Sequence, residues 1–149
     1  MSIVTNLLDI YATLDLEVML NLREELLKID REIVEDQLED LGSQYLTYAS
    51  LAEVAKKQYH LASDCLEIFL AEEKQEETVR LQNEGKRATA VALDNHVMST
   101  NHYKKLLREV RDTETKWGYL KGLLRAMEMR RDALVQICSL KKKEAGIYN

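Results

Sequence analysis

The chain has 149 residues, of which 46% are hydrophobic and 32% charged, and its net charge is −5. This profile excludes an intrinsically disordered chain and favours one folded domain. Proline is absent and only five glycines occur, so long helices are expected. The N-terminal residues have no basic segment ahead of an apolar run, and no apolar stretch is long enough to span a membrane. Both observations predict a cytoplasmic protein.

Charge is unevenly distributed along the chain. Residues 1–80 carry 18 acidic and 7 basic side chains, a net charge of −11, whereas residues 81–149 carry 8 acidic and 14 basic ones, a net charge of +6. Such a separation suggests head-to-tail packing between subunits, or a face that binds an anionic partner. Solvated helix faces without functional meaning are an equally good explanation.

The first predicted element is an N-terminal helical segment over residues 1–33. It opens with a short apolar stretch that needs support from the rest of the chain or from a neighbouring subunit. From Leu14 onward, apolar residues recur at helical spacing, and Thr13 or Asp15 can cap this helix. We expect a break near Asp30, before the next helix.

Residues 34–80 are predicted to form one long helix around which the chain is organised. Alternating steps of four and three residues trace an unbroken seam: Val34, Leu38, Leu41, Tyr45, Tyr48, Ala52, Ala55, Tyr59, Ala62, Leu66 and Phe69. A second apolar stripe requires a further neighbour: Leu51, Val54, Leu61, Cys65 and Ile68. A helix of about 45 residues spans roughly 65–70 Å, but a compact chain of this size is about 40 Å across. The helix must therefore break, for example at Gly42, or pack on other chains.

The rest of the chain is predicted to form a linker with a short helix (81–100), a C-terminal helix (101–140) and a basic tail (141–149). Ser99 or Thr100 can cap the C-terminal helix. Its seam is Tyr103, Leu106, Val110, Thr113, Trp117, Leu120, Leu124, Met127, Arg131, Leu134 and Cys138. The sequence thus predicts an all-α fold, a long antiparallel helical hairpin with an extra N-terminal helix, assembling into a homo-oligomer.

Arg131 is the one charged residue on this seam. A buried guanidinium without a partner is costly, so we expect an acid opposite it, such as Glu53, Asp64 or Glu67, or an opening toward solvent. An ion pair that fixes helix register is one interpretation, and a phosphate contact is the other. The residues predicted to matter most for the core or for subunit contacts are Tyr45, Tyr48, Tyr59, Leu66, Phe69, Trp117, Leu120, Leu124 and Arg131.

Motifs for catalysis are missing from the sequence. It contains no glycine-rich phosphate loop and no nucleophile elbow. A carboxylate metal site in a helical hairpin needs a glutamate three residues before a histidine, and none of the three histidines has one. His96 and His102 flank the start of the C-terminal helix and can approach a metal, but surface histidines near a turn are commoner. We expect neither an enzyme nor a cofactor.

Basic residues form three clusters. They are Arg80, Lys86 and Arg87; Lys104, Lys105, Arg108 and Arg111; and Lys141, Lys142 and Lys143. Each cluster alone is typical of a solvated face, but a ring of subunits would repeat it into a continuous basic track for a nucleic-acid backbone. Tyr103, Tyr119 or Tyr148 can stack on bases, although Tyr103 also lies on the seam.

The order of several segments resembles a known family. Leu22-Arg-Glu-Glu-Leu-Leu-Lys-Ile-Asp precedes the long helix, which carries Gln44-Tyr-Leu-Thr-Tyr-Ala-Ser-Leu. After a glycine-containing linker, the last helix carries Trp117-Gly-Tyr-Leu and Arg131-Asp-Ala-Leu-Val-Gln-Ile. From about residue 20 to 140 the chain resembles the phage UvsY-type recombination mediator family in the order and spacing of its elements.

This resemblance implies a small all-α subunit that closes into homo-oligomeric rings and binds single-stranded DNA without a nucleotide cofactor. It further implies a protein of an infected bacterial host that helps a RecA-type recombinase replace single-strand-binding protein. The resemblance supports Lys74 as a DNA contact, with Arg80 by proximity. The chain departs from the family in being acidic and in presenting Glu76 nearby. Charge distribution therefore suggests a larger contribution from Lys86, Arg87 and the C-terminal half.

Two other functions are compatible with the sequence. An oligomeric helical scaffold or assembly chaperone would bind only protein, and the acidic N-terminal half favours a basic partner. A small enzyme or metal protein is the third interpretation, and measuring the metal content of the purified protein would test it.

Overall fold

The computed structural model describes residues 3–146, with side chains from residue 6, and within these residues it contains helices and no strand. Five helices follow one another: α1 (Ile3–Thr13), α2 (Leu16–Leu27), α3 (Val34–Asn83), α4 (Ala90–Ser99) and α5 (Asn101–Glu144). The all-α prediction is therefore confirmed.

Side chains cap the starts of α2 and α5 as the sequence indicates. The Asp15 carboxylate accepts a hydrogen bond of 2.8 Å from the Val18 backbone N–H. The Thr100 hydroxyl accepts one of 3.1 Å from the Tyr103 backbone N–H. Each bond satisfies one of the N–H groups that the first turn of a helix leaves unpaired.

The break before α3 is held by short-range polar contacts. The Asp30 carboxylate accepts from the Glu32 backbone N–H at 2.9 Å. From the first turn of α3, the Gln37 side chain reaches back, accepting from the Asp30 N–H at 3.1 Å and donating to the Lys28 carbonyl at 3.3 Å. The expected break at Asp30 is confirmed, and these contacts fix where α3 begins.

The α3 helix is continuous through Gly42 and extends three residues beyond the predicted end at residue 80. It stops before Gly85, whose φ of +70° belongs to the left-handed region that favours glycine. The α5 helix likewise runs four residues past residue 140, to Glu144, and Gly146 with φ +69° follows it. The predicted basic tail thus begins as helix, while its residues 147–149 lie outside the described residues.

Contacts divide the chain into two compact units, and α3 and α5 contribute to both. The first unit comprises residues 1–55 and 116–149, and the second unit comprises residues 56–115.

The core of the first unit is built from two clusters. One consists of Leu14, Met19, Leu51, Ala52, Ala55 and Leu120, and the other of Leu26, Val34, Leu41, Leu123, Met127 and Leu134. Tyr45 contacts Glu128 and Glu35 contacts Cys138, so α3 and α5 run antiparallel in this unit. Helix α2 packs beside both, because Leu22 contacts both clusters.

The second unit has a smaller apolar core. Val97 of α4 is fully buried and Ala62 of α3 nearly so. Phe69 stacks on His102 with ring centroids 4.5 Å apart, which places the start of α5 beside α3. Half-buried residues complete this core: Tyr59, Leu66, Phe69, Tyr103, Leu106 and Val110.

Every residue of the α3 seam is buried or half-buried, and so is every residue of the α5 seam except Arg131. Arg131 has the opening toward solvent that the sequence allowed rather than an acid opposite it on α3, because its side chain is 60% exposed and pairs with Asp132. Arg130 is the buried arginine, at 8% exposure. The buried stripe of α5 contains Leu123, Met127 and Arg130, and Leu123 lines a groove with Arg23 of α2.

The second apolar stripe of α3 is only partly covered. Leu51 is buried and Val54 half-buried in the first unit, beside α2. In the second unit Leu61 and Ile68 are 48% and 58% exposed, and Cys65 is exposed as well. Among the described residues, the second neighbour that this stripe requires is therefore present in the first unit alone.

Candidate nucleic-acid interface

Three of the predicted DNA contacts are engaged in ion pairs within the second unit. Lys74 lies 2.6 Å from Asp94 on α4. Arg80 pairs with Glu77 at 2.6 Å and with Glu84 at 2.7 Å, and Lys86 lies 2.7 Å from the other Glu84 oxygen. Each of these three cations is paired with a carboxylate of the same chain, so a phosphate would have to displace that contact.

The pair between Glu77 and Arg80 anchors this network. Glu77 is 6% exposed, and its two oxygens accept from Nε and Nη2 of Arg80. These hydrogen bonds lower the pKa of Glu77 and raise that of Arg80. The Arg80 side chain therefore has a structural role in compensating a buried carboxylate.

His96 connects α4 to the same carboxylates. Its Nε2 lies 3.0 Å from Glu73 Oε1, and its Nδ1 lies 3.8 Å from Glu77 Oε2. Together with the Lys74–Asp94 pair, these contacts dock α4 on the end of α3. Glu73 is half-buried against His96.

The second basic cluster is different, because its side chains are exposed and unpaired within the described residues. Lys104, Lys105, Arg108 and Arg111 lie on the outward face of α5 in the second unit, away from the half-buried residues Tyr103, Leu106 and Val110. None of the four forms an ion pair with any part of the chain that the structure describes. Lys104, Arg108 and Arg111 follow at spacings of four and three, so they form one continuous row along the helix. We call these four residues the α5 cationic face.

The lysines of this face lie where positive charge slightly destabilises a helix. No acidic residue lies in the first turn of α5, and two lysines follow that turn directly. The N-terminus of a helix carries partial positive charge, so lysines there are mildly unfavourable unless an anion is present. An anionic ligand would convert this repulsion into attraction.

Arg87 and the last-turn lysines are the remaining predicted contacts. Arg87 lies exposed in the loop between α3 and α4 and, within residues 6–146, pairs with no carboxylate. Lys141 lines a polar groove with Glu32, Glu35 and Asp36, so acids surround it. Lys142 is half-buried and Lys143 exposed, and both stand favourably at the C-terminal end of α5.

The tyrosines proposed to stack on bases are occupied or outside the described residues. Tyr103 is half-buried in the core of the second unit. Tyr119 donates its hydroxyl hydrogen to the Met19 carbonyl, and burial raises its pKa. Tyr148 lies outside the described residues. The two described tyrosines are therefore packed in the protein rather than exposed for stacking on a base.

Two buried polar residues were not singled out from the sequence. Glu77 lies one turn beyond Glu73, and its burial depends on α4 folding back onto α3. Arg130 lies in the first unit, where its Nε finds no hydrogen-bond partner among the described residues and burial lowers its pKa. Helical periodicity alone does not predict that these two residues are buried, because their burial depends on which neighbouring helix covers them.

No group of three or more histidine, cysteine, aspartate or glutamate side chains among the described residues can hold a metal ion. In the same part of the chain, no helix has the length and apolar character needed to cross a bilayer. Comparison of the chain with protein-family models, curated proteins and solved structures finds no match in any of the three.

Proposed function

We propose that this protein binds single-stranded DNA through the α5 cationic face and acts without catalysing a reaction. The observation that carries the proposal is the group of four exposed cations at the start of α5, none of which forms an ion pair within the described residues, whereas Lys74, Arg80 and Lys86 of the same unit are paired. Free cations exchange counterions for phosphates, whereas paired ones must first break an internal contact.

The resemblance to UvsY-type mediators supports a specific use of such binding. A protein of this kind holds single-stranded DNA while a RecA-type recombinase replaces single-strand-binding protein in the cytoplasm of an infected bacterial host. Homo-oligomerisation belongs to this proposal, because repeating the α5 cationic face would multiply a modest number of contacts per chain.

A direct test measures binding of a fluorescein-labelled oligothymidylate by anisotropy at low salt. We expect Lys104→Gln combined with Lys105→Gln to weaken binding at least about tenfold, as each lost phosphate contact removes counterion release. Lys56→Gln with Lys57→Gln is the matched control, because these adjacent lysines are also exposed on a helix and unpaired within residues 6–146. Equal binding by both double variants would refute the role of the α5 cationic face.

A protein-binding scaffold is the second candidate, and one observation favours it. The exposed stripe Leu61, Cys65 and Ile68 continues along α3 toward Glu72 and Glu76, which form no ion pair within the described residues. This apolar and acidic surface suits a protein partner rather than DNA. If wild-type protein fails to bind the oligonucleotide at low salt and micromolar concentration, the scaffold function becomes the better account.

A further inference from the structure

A groove runs between α3 and α5 in the first unit. It has a volume of about 410 Å³. Its lining is Leu38, Leu41, Gly42, Tyr45, Met127, Glu128, Arg131 and Val135. Five of these eight residues are apolar or glycine. All eight lie on the two helices, so the hydrophobic surface of the groove is already formed in the structure.

Helix α2 leaves this side of the pair open. On α5, Gly122 and Ala126 face α2, because they line a separate groove with Arg23 of α2. Arg131 and Val135 lie on the far side of α5 from these residues, given the helical repeat. The groove is therefore the face of the α3–α5 pair that the described residues do not cover.

Gly42 is the feature of α3 that deepens the groove. Glycine in the middle of a helix costs about 1 kcal/mol relative to alanine, and Gly42 has no positive φ that would require it. An added Cβ would meet nothing within 4 Å, so internal packing does not require glycine either. The missing side chain instead gives an approaching helix access to the α3 backbone.

The charges around the groove are mainly acidic. Glu128 lies in the groove and accepts a 2.8 Å hydrogen bond from the Tyr45 hydroxyl. Arg131 is its only lining cation, and Asp132 already accepts two hydrogen bonds from it, at 2.9 and 3.1 Å. One turn further along the same helices, a polar groove of about 380 Å³ is lined by Glu32, Glu35, Asp36 and a single lysine, Lys141. Carboxylates thus outnumber cations along this face.

We infer that this groove binds a basic amphipathic helix of another protein. Apolar side chains of that helix at spacings of three and four would enter the space over Gly42, between Leu38 and Val135. Its lysines or arginines would pair with Glu35 and Asp36 at the end of the groove. This is the helix-in-groove mode of recognition, in which the apolar anchors give affinity and the charges give orientation.

The test uses a fluorescein-labelled helical peptide of alanine, leucine and lysine, with leucines on one face and lysines on the other. A second peptide carries glutamate in place of every lysine. Gly42→Leu fills the groove with a side chain. Gly118→Leu is its matched control, because Gly118 is an exposed glycine within α5 whose added Cβ would also meet nothing within 4 Å.

We expect the lysine peptide to bind the full chain, and the glutamate peptide to bind at least about tenfold more weakly. Gly42→Leu should weaken binding of the lysine peptide at least about tenfold, and Gly118→Leu should leave it within about twofold. Equal binding of both peptides would overturn the inference, because an unselective apolar site would then be present. The inference would also be overturned if light scattering, without peptide, gave a smaller assembly mass for Gly42→Leu than for the wild-type protein. That result would mean that a second copy of the chain occupies the groove.

This outcome is independent of DNA binding. The groove lies in the first unit and the α5 cationic face in the second. Gly42→Leu should therefore bind the oligothymidylate like the wild-type protein, and failure of the peptide test would leave the proposed DNA interface untouched.

Discussion

Glu77 and Arg80 form a two-point ion pair one turn apart on α3, with Nε–Oε2 and Nη2–Oε1 distances of 2.7 and 2.6 Å. The carboxylate of this pair is buried, and His96 of α4 approaches the same oxygen that accepts from Nε. The pair therefore compensates the one buried acid at the docking site of α4. Arg80 thus has a structural role, unlike the unpaired cations of the α5 cationic face.

Arg80→Ala should lower the melting temperature of the protein more than Lys86→Ala does. The first change leaves Glu77 buried without its guanidinium, whereas the second removes only a partner of the exposed Glu84. Thermal unfolding followed by circular dichroism measures both. Similar melting temperatures for the two variants would show that Glu77 is compensated in another way.

The stabilising effect of Glu77 should depend on pH. Because Arg80 lowers the pKa of Glu77, the pair stabilises the fold fully above the ordinary value of 4.5. As pH falls below that value, the unfolded chain takes up a proton first, so this stabilisation is lost. The difference in unfolding free energy between wild type and Glu77→Gln should shrink as pH falls from about 7 to about 3.

Urea denaturation at a series of pH values measures that difference. Glu76→Gln is the control, since Glu76 is exposed and outside the Arg80 pair. Its unfolding free energy should follow that of the wild type throughout. A pH-independent gap for Glu77→Gln would contradict the role given to the ion pair.

Two adjacent arginines provide a second matched comparison. Arg130→Met should raise the free energy of unfolding by about 1 kcal/mol. Arg130 is a buried cation whose Nε has no hydrogen-bond partner among the described residues, and methionine would put an apolar side chain in its place. Arg131→Met, at an exposed site, should change it by less than about 0.5 kcal/mol. If Arg131→Met has the larger effect, the helical register of α5 is different from the one described.

Much of the fold follows from the sequence because helices are local structures. The seam of α3 and the caps at Asp15 and Thr100 depend on residues within one or two turns, and the structure confirms them. The expectation of an acid on α3 opposite Arg131 is not met, for a non-local reason. Both Arg130 and Arg131 fit an apolar periodicity, and the arrangement of the neighbouring helices decides which of them is buried.

The candidate site was predictable only in part for the same reason. The basic clusters are visible in the sequence, including all four residues of the α5 cationic face. Whether a cation is compensated depends on contacts such as Lys74 with Asp94, which are twenty residues apart in sequence and meet only when α4 folds back. The sequence alone therefore does not distinguish free cations from paired ones.

Two glycines should respond oppositely to substitution by alanine. Gly42→Ala should stabilise the protein by about 1 kcal/mol, because the site is helical and an added methyl group meets no atom within 4 Å. Gly85→Ala should destabilise it by about 1 kcal/mol, because its φ of +70° is unfavourable for alanine. Denaturant unfolding of the two variants measures both effects. Stabilisation by Gly85→Ala would show that α3 ends in a different conformation.

Core packing in the first unit should be sensitive to truncation. Leu120→Ala should cost about 3 kcal/mol of unfolding free energy, because Leu120 is fully buried between α3 and the N-terminal helices. Leu46→Ala, at a residue 67% exposed on α3, should cost less than about 0.5 kcal/mol. A cost of about 2 kcal/mol or more at Leu46 would reveal that a further chain buries it.

The salt dependence of DNA binding tests the central claim most directly. For a short oligothymidylate that contacts one α5 cationic face, the slope of log affinity against log salt concentration should be about −3, the value for four phosphate contacts. Lys104→Gln with Lys105→Gln should reduce it to about −1.5, whereas Lys56→Gln with Lys57→Gln should leave it unchanged. Identical slopes for all three proteins, or no binding by the wild type, would contradict the α5 cationic face as the DNA interface.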